Sequence, residues 1–348
     1  LRSCIQRIQG IHSFQVPTPF PVGPVNVYLI EDDALTLIDA GPKSEAAWTA
    51  LKRQLKEVGY VPEDIDQVVL THHHVDHVGL LDYLGQESPI DVLGHWRNEP
   101  WISQDPAFFE NSWAFFKKLY RSFGVEERFL PFLKQMFEGI FRFNCQTGLD
   151  TVLKEGDAVP GMTDWRVMET PGHAQSHIAL YRERDGVMIG GDHLLAHISS
   201  NAVMEPPYPG EAERPKALLQ YRESLRKMLP LDLSRVLTGH GEEVTGVHEL
   251  IGQRLQKQDE RATAIRAVLD SGPLSGFDIC KRLFPSKYES ELSLVLSETL
   301  GHLDLIQSRG EVKVMEENGV CYYSAVYWFH EGTGHMPFSS KRRNLHDQ

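Results

Sequence analysis

The stretch VVLTHHHVDHVGL, residues 68–80, sets four histidines and an aspartate in six positions directly after a short apolar run. His72, His74, Asp76 and His77 fit the spacing H-x-H-x-D-H, and His73 falls outside it. IDQVVLTH, residues 65–72, reads as a buried strand, so the cluster begins where a strand stops, on a rigid support. A fold that accepts this stretch must bring that strand end to a place where other ligand-type side chains can meet it.

Three further segments end strand-like runs in the same way. They are TPGHAQSH (170–177), GGDHLL (190–195) and TGHGE (238–242). A lone PGH or GHG is ordinarily a turn with an exposed histidine, and an aspartate after two glycines is ordinarily a cap or turn residue. Their joint presence, in this order and each after a strand, points to a metal site. Neutral imidazoles and carboxylates are borderline and hard donors that suit Zn²⁺.

The remaining pattern supplies a frame. VNVYLIE (25–31) and ALTLIDAG (34–41) are strand-like on either side of Asp32-Asp33, and residues 44–60 have apolar positions at helical spacing between Ser44 and Gly59. The first 95 residues thus alternate strands with one helix. Residues 96–147 break that rhythm with a helical, Phe- and Trp-rich insertion, which either packs on the main body or caps a pocket with an apolar wall. Strands resume at 165–172, 177–184 and 186–192, followed by an amphipathic helix at 216–230 and a strand at 234–241. Beyond residue 250, three helix-like runs precede two strands around Asn318-Gly319, the outline of a winged helix-turn-helix.

With 348 residues and 41% hydrophobic content the chain is long enough for two units with sizeable cores. A formal net charge of −13 argues against a protein that holds nucleic acid by a basic surface, since such binding is driven by Lys and Arg. The basic run KRR (341–343) lies in a terminal tail. Cys4, Cys145, Cys280 and Cys321 are far apart, so neither a disulfide framework nor a thiolate zinc site is indicated and a reducing cytoplasm fits. Neither a signal peptide nor a membrane-spanning run is expected.

The four motifs, in this order, resemble those of the metallo-β-lactamase superfamily, from about residue 20 to 245. The last 90 residues resemble the winged-helix extension of the branch containing the β-lactamase-like endoribonucleases and bacterial relatives. The resemblance implies an α/β fold: an αββα sandwich over 1–250 carrying the 96–147 insertion, a winged-helix unit over 251–335 and a tail over 336–348. It puts His72, His74 and His173 around one metal and Asp76, His77 and His240 around a second, with Asp192 bridging. His72 and His74 would share a face because alternate residues do, and the next turn would bring Asp76 and His77 to the other ion. His73 would face away. Asp39, in LIDAG, matches another motif and is expected to hydrogen-bond a ligand. His177 is expected to be a structural hydrogen-bonder; so is His193, though it lies close enough to Asp192 to touch substrate.

The implied cofactors are two divalent ions, zinc first, with iron or manganese as alternatives. The implied activity is a hydrolase in which a metal-bridging hydroxide, with Asp76 and Asp192 as catalytic carboxylates, attacks the carbonyl of an ester, thioester or lactone. The aromatic insertion favours a small acyl substrate. A ribonuclease is the enzymatic alternative and leaves RNA open as a partner. The di-iron flavoproteins of the superfamily resemble H-x-E-x-D, and His74 stands at the second position here. A DNA-binding regulator is the non-enzymatic alternative, weakened because the candidate recognition helix carries Glu289, Glu291 and Glu298 against Lys287. Its apolar positions Leu292, Val295, Leu296 and Leu300 read as a buried face, for packing or for a homo-oligomer.

Overall fold

The computed structural model describes residues 10–327; Cys4, the KRR run and the 336–348 tail lie outside them. The strands are β1 (Ile11–Val16), β2 (Val25–Glu31), β3 (Leu35–Ile38), β4 (Gln67–Val69), β5 (Asp91–Gly94), β6 (Thr151–Val152), β7 (Ala158–Val159), β8 (Met162–Glu169), β9 (Ile178–Arg182), β10 (Val187–Gly191), β11 (Arg235–Thr238), β12 (Leu274–Ser275), β13 (Val312–Glu317) and β14 (Val320–Ala325). The α-helices are α1 (Glu45–Val58), α2 (Val75–Val78), α3 (Leu81–Glu87), α4 (Glu99–Ile102), α5 (Pro106–Ser122), α6 (Leu130–Ile140), α7 (Ala217–Met228), α8 (Val247–Val268), α9 (Gly276–Leu283) and α10 (Leu292–Ser308).

Strands β1 to β6 form one sheet in sequence order, and β11-β10-β9-β8-β7 form a second. Because successive side chains of a strand point to opposite faces, β2 serves two cores at once. Tyr28 and Ile30 join Ile38, Val69, Val167, Leu180 and Ile189 in a layer between the sheets. Val27 and Leu29 turn outward to Trp48, Leu51 and Leu55 of α1 and to Leu81 and Leu84 of α3. On the far side, Ala179, Tyr181, Met188 and Val236 of the second sheet pack under α7, α8 and α10. The layers run helix, sheet, sheet, helix, an αββα sandwich.

Local chemistry explains the boundaries. Ser44 caps α1 by accepting a hydrogen bond from the Ala47 N–H, a cap worth about 1 kcal/mol, and Gly59 ends it in the left-handed region at φ 96°. β3 stops one residue before Asp39, whose own φ of 62° turns the chain out of the sheet. The first 95 residues hold three helices where one was expected; α2 and α3, with four and seven residues, are too short to show a periodic signal. β3, β4 and β5 pair in parallel, as do β10 and β11, so the ends of β4 and β11 that carry histidines follow buried strands.

The insertion spans both outer regions. At one end Trp101 stacks on His73, with ring centroids 4.4 Å apart. At the other, the Phe123 carbonyl accepts the Phe277 N–H at 2.8 Å and the Phe129 ring lies 5.6 Å from Phe277. Beyond residue 247 the chain forms α8, α9, α10 and the small sheet β12-β14-β13, with Asn318 and Gly319 at φ 52° and 80° in the hairpin turn. Leu292, Val295, Leu296 and Leu300 are buried, as their spacing predicts, in a core that α10 shares with Leu218 and Tyr221 of α7. No described helix is long and apolar enough to cross a membrane.

Candidate metal centre

Four loops meet at one edge of the sandwich, and glycines make two of the meetings close. Gly191, at φ 47°, ends β10; a Cβ there would lie 2.8 Å from Thr71 Oγ1 and 2.9 Å from His177 Nε2. A Cβ on Gly239 would lie 2.1 Å from Asp192 Oδ1. The glycines of GGD and TGHG therefore let Asp192 and His240 reach the histidine loop. After β4 the chain bends at Thr71 and reaches His74, extended at φ −64° and ψ 144°, which precedes α2, and that helix carries Asp76 and His77.

His72 Nε2 and His173 Nε2 each lie 3.0 Å from His74 Nδ1. His240 Nε2 is 3.3 Å from Asp76 Oδ2. Asp192 stands between these groups: Oδ1 is 3.6 Å from His77 Nε2, and Oδ2 is 3.5 Å from His173 Nε2 and 3.6 Å from His240 Nε2. Three overlapping triads are thus candidate metal sites: His72 with His74 and His173, His72 with His77 and Asp192, and Asp76 with His77 and His240.

The outward ring atoms fix where the lone pairs point. His173 Nδ1 donates to the Asn201 carbonyl at 2.9 Å and His240 Nδ1 to the Pro24 carbonyl at 2.8 Å; a carbonyl only accepts, so both rings carry their proton outward. His77 Nδ1 donates to Asp39 Oδ2 at 2.7 Å. The Thr71 hydroxyl donates to Asp39 Oδ2 and so accepts from His72 Nδ1, at 3.0 Å. Each of these four histidines commits Nδ1 to its outward bond and turns Nε2 inward, the orientation of metal-ligating imidazoles. His77 Nε2, His240 Nε2 and Asp192 Oδ1 are buried with no hydrogen-bond partner, an arrangement that costs free energy unless a cation sits among them. The residues fit a metal.

Electrostatics agree. Burial pulls His72 and His74 well below the usual histidine range, and the neighbouring rings add to this. Burial also opposes charge on His77, but the carboxylates of Asp39, Asp192 and Asp76 outweigh it and hold the ring well above its ordinary value. For Asp192, burial is overcome by His77, His240 and His173, which keep the carboxylate ionised. Where carboxylates draw protons this strongly, a cation competes for the same place.

The other histidines separate by their contacts. His73 turns away: Nδ1 bonds Ser176 Oγ at 2.8 Å and the ring lies on Trp101. His177 accepts the Asp192 N–H at 3.1 Å on Nε2, so its Nδ1 donates to Thr170 Oγ1, 2.8 Å away. His193 differs from expectation. Its ring is fully buried, 5.3 Å from Tyr221 and 6.0 Å from His177, with neither nitrogen hydrogen-bonded. The turn after Gly191 points the ring into the core beside Tyr221; the His193 carbonyl accepts the Tyr221 hydroxyl at 2.7 Å and its N–H donates to the Gly190 carbonyl at 2.9 Å. Asp39 does reach a candidate ligand, and it also accepts the Thr71 N–H at 2.8 Å.

The sequence reading missed Glu205. It accepts the Gln175 N–H and the Tyr208 hydroxyl, both at 2.7 Å, and lies 3.9 Å from His73 Nε2. Tyr208 in turn accepts the Trp101 indole N–H at 2.8 Å. Burial pushes the Glu205 carboxyl up to about 7 against these hydrogen bonds. No local motif surrounds Glu205 in EPPYPGE to announce it.

Residues 20–240 match the family model described as Metallo-beta-lactamase superfamily. The chain is 44% identical over 322 residues to the probable metallo-hydrolase YqjP of Bacillus subtilis (strain 168), covering 91% of this chain and 98% of that one. It is 27% identical over 212 residues to a hydroxyacylglutathione hydrolase of Chelativorans sp. (strain BNC1), covering 60% of this chain and 58% of that protein. The crystal structure of a metallo-beta-lactamase family protein from Thermus thermophilus superposes with a TM-score of 0.75 at 28% identity, covering 92% of this chain and 99% of the other.

Proposed function

The chain belongs to the metallo-beta-lactamase superfamily and is a metal-dependent hydrolase, and within that class we propose a two-ion enzyme acting on a small ester, thioester or lactone. His72, His74 and His173 would hold one divalent ion, and Asp76, His77 and His240 the other, with Asp192 shared. Imidazole with carboxylate favours zinc, and iron and manganese accept the same donors. The observation that carries the reading is the set of four inward Nε2 atoms, each fixed by an outward hydrogen bond.

Two such ions, when bound, supply a water acidic enough to be hydroxide near neutral pH and polarise the substrate carbonyl. The residues do the rest. Asp39 and the carbonyls of Pro24 and Asn201 keep the ligand rings oriented. Asp76 and Asp192, held ionised by the neighbouring histidines, would ligate the ions and accept a hydrogen bond from that water. Trp101, Phe108, Phe109 and Phe141 form an aromatic wall that packs against His73. That wall, and the match to a hydroxyacylglutathione hydrolase, support an acyl substrate.

The test combines metal analysis of the reloaded protein with a panel of thioesters, lactones, a chromogenic lactam and single-stranded RNA. Close to two ions per chain and turnover of a thioester, ester or lactone are expected. One ion or fewer, or cleavage of RNA without acyl hydrolysis, overturns the reading.

A further inference from the structure

Residues 193–216 cross the outer face between β10 and α7 without a helix or strand, and a stretch of that length is functional more often than incidental. Its early carbonyls, buried at Leu195 and part-buried at Ala196 and Ile198, converge on one donor. Arg254, on α8 and only 5% exposed, supplies it: one terminal nitrogen lies 2.9 Å from the Leu195 carbonyl, 3.2 Å from Ala196 and 3.0 Å from Ile198. A buried guanidinium spent on main-chain carbonyls holds a backbone path more than it balances a charge.

The path leads to the metal centre. Ser200 Oγ lies 2.8 Å from His173 Nδ1, and the Asn201 carbonyl accepts the proton of that nitrogen. Further on, Asn201 Nδ2 donates to the Leu294 carbonyl at 3.3 Å, and Met204 N–H donates to Ser297 Oγ at 3.2 Å, both on α10. The loop that orients His173 is therefore fastened to α8 and α10, which lie beyond the residues matched by the family model. His77 and His240 take their outward bonds from Asp39 and Pro24 instead.

We propose that Arg254 is a positioning residue for His173, and that through it the carboxy-terminal helices tune the ion held by His72, His74 and His173 without affecting the other. The proposal rests on the two-ion reading for its choice of readout.

The test measures zinc affinity of the full chain by competition with a chromophoric chelator. Arg254→Ala is compared in two backgrounds, His240→Ala, which damages the second group, and His173→Ala, which damages the first. In the His240→Ala background Arg254→Ala should weaken the remaining ion about 10- to 100-fold, the range for losing an outer contact of a ligand. In the His173→Ala background it should change nothing. Arg254→Lys, which keeps a donor, should restore part of the loss. Ser200→Ala, which leaves α8 intact, should show the same asymmetry at smaller size, so that a poorly folding Arg254→Ala does not decide the matter. Equal weakening in both backgrounds, or none in either, overturns the proposal. Wild-type stoichiometry reports separately on the two-ion reading.

Discussion

The two groups of candidate ligands are held by different parts of the molecule. In the group of Asp76, His77 and His240 the two histidines are braced from the sheets: Asp39, which bonds His77, follows β3 by one residue, and Pro24, which bonds His240, directly precedes β2. His72 shares that support through Thr71, but His173 is braced by an irregular loop pinned to helical residues 56 to 93 positions further along the chain. A sheet brace forms with the core and tolerates little movement, whereas a loop brace is only as firm as the contacts behind it. One half of the centre should thus be insensitive to the carboxy-terminal unit and the other half should depend on it.

The largest effect expected is at the residue that joins the halves. Asp192 has one oxygen 3.6 Å from His77 and the other 3.5 Å from His173 and 3.6 Å from His240. Asp192→Ala should bring hydrolysis to background and lower the metal content below two ions per chain. His73→Ala, which removes a ring bonded to Ser176 and stacked on Trp101, should keep most of the activity at some loss of stability. Equal losses of activity in two folded variants would remove the distinction between ligand and scaffold histidines on which the comparison stands.

These roles were open to sequence reasoning to different degrees. The seven ligand-type residues and Asp39 lie in short contiguous motifs at strand ends, so the resemblance to the metallo-β-lactamase superfamily could single them out and imply their grouping. The frame around them was legible locally: β2 alternates between two cores, and Ser44 and Gly59 bracket α1. Glu205 and Arg254 act across 30 and about 56 to 59 residues, on Gln175 and on the 195–198 carbonyls, and nothing beside them in the chain encodes those partners. His193, expected to be a structural hydrogen-bonder, instead packs its buried ring beside Tyr221 with both nitrogens unpaired, because the backbone turn after Gly191 sets its direction. The apolar face of α10 was visible, but what it covers, α7 and the shared core beneath it, depends on the tertiary fold.

A smaller and more selective effect is expected from Asp39→Asn. The aspartate carries the outward bond of His77 and also holds Thr71 twice, through its N–H and its hydroxyl. Replacing the carboxylate removes the negative charge that makes His77 a strong donor, and about 10- to 100-fold weaker binding is the usual consequence. Zinc titration should show this loss chiefly in the ion assigned to Asp76, His77 and His240. Loss confined to the other ion would reverse the assignment of braces to halves.

The smallest effect separates the halves by pH. Glu205 belongs to the loop side: it holds the Gln175 N–H, two residues from His173, and the Tyr208 hydroxyl. Burial raises its carboxyl from an ordinary 4.5 to about 7, so the folded protein keeps this proton to higher pH than the unfolded chain does. A group shifted in this direction contributes stability that is fully present below its unfolded value and is lost as pH rises through about 7. Between pH 6 and 8 the loss amounts to about 1 kcal/mol, because the folded carboxyl gives up its proton across that window while the unfolded one is already ionised. Glu205→Gln cannot ionise and keeps an acceptor for Gln175, so urea unfolding of the metal-free protein should lose about 1 kcal/mol more between pH 6 and 8 in the wild type than in the variant, the histidines contributing equally to both. Parallel pH dependence in both would mean that the carboxyl is ionised throughout this range, and that the loop side owes none of its firmness to a proton.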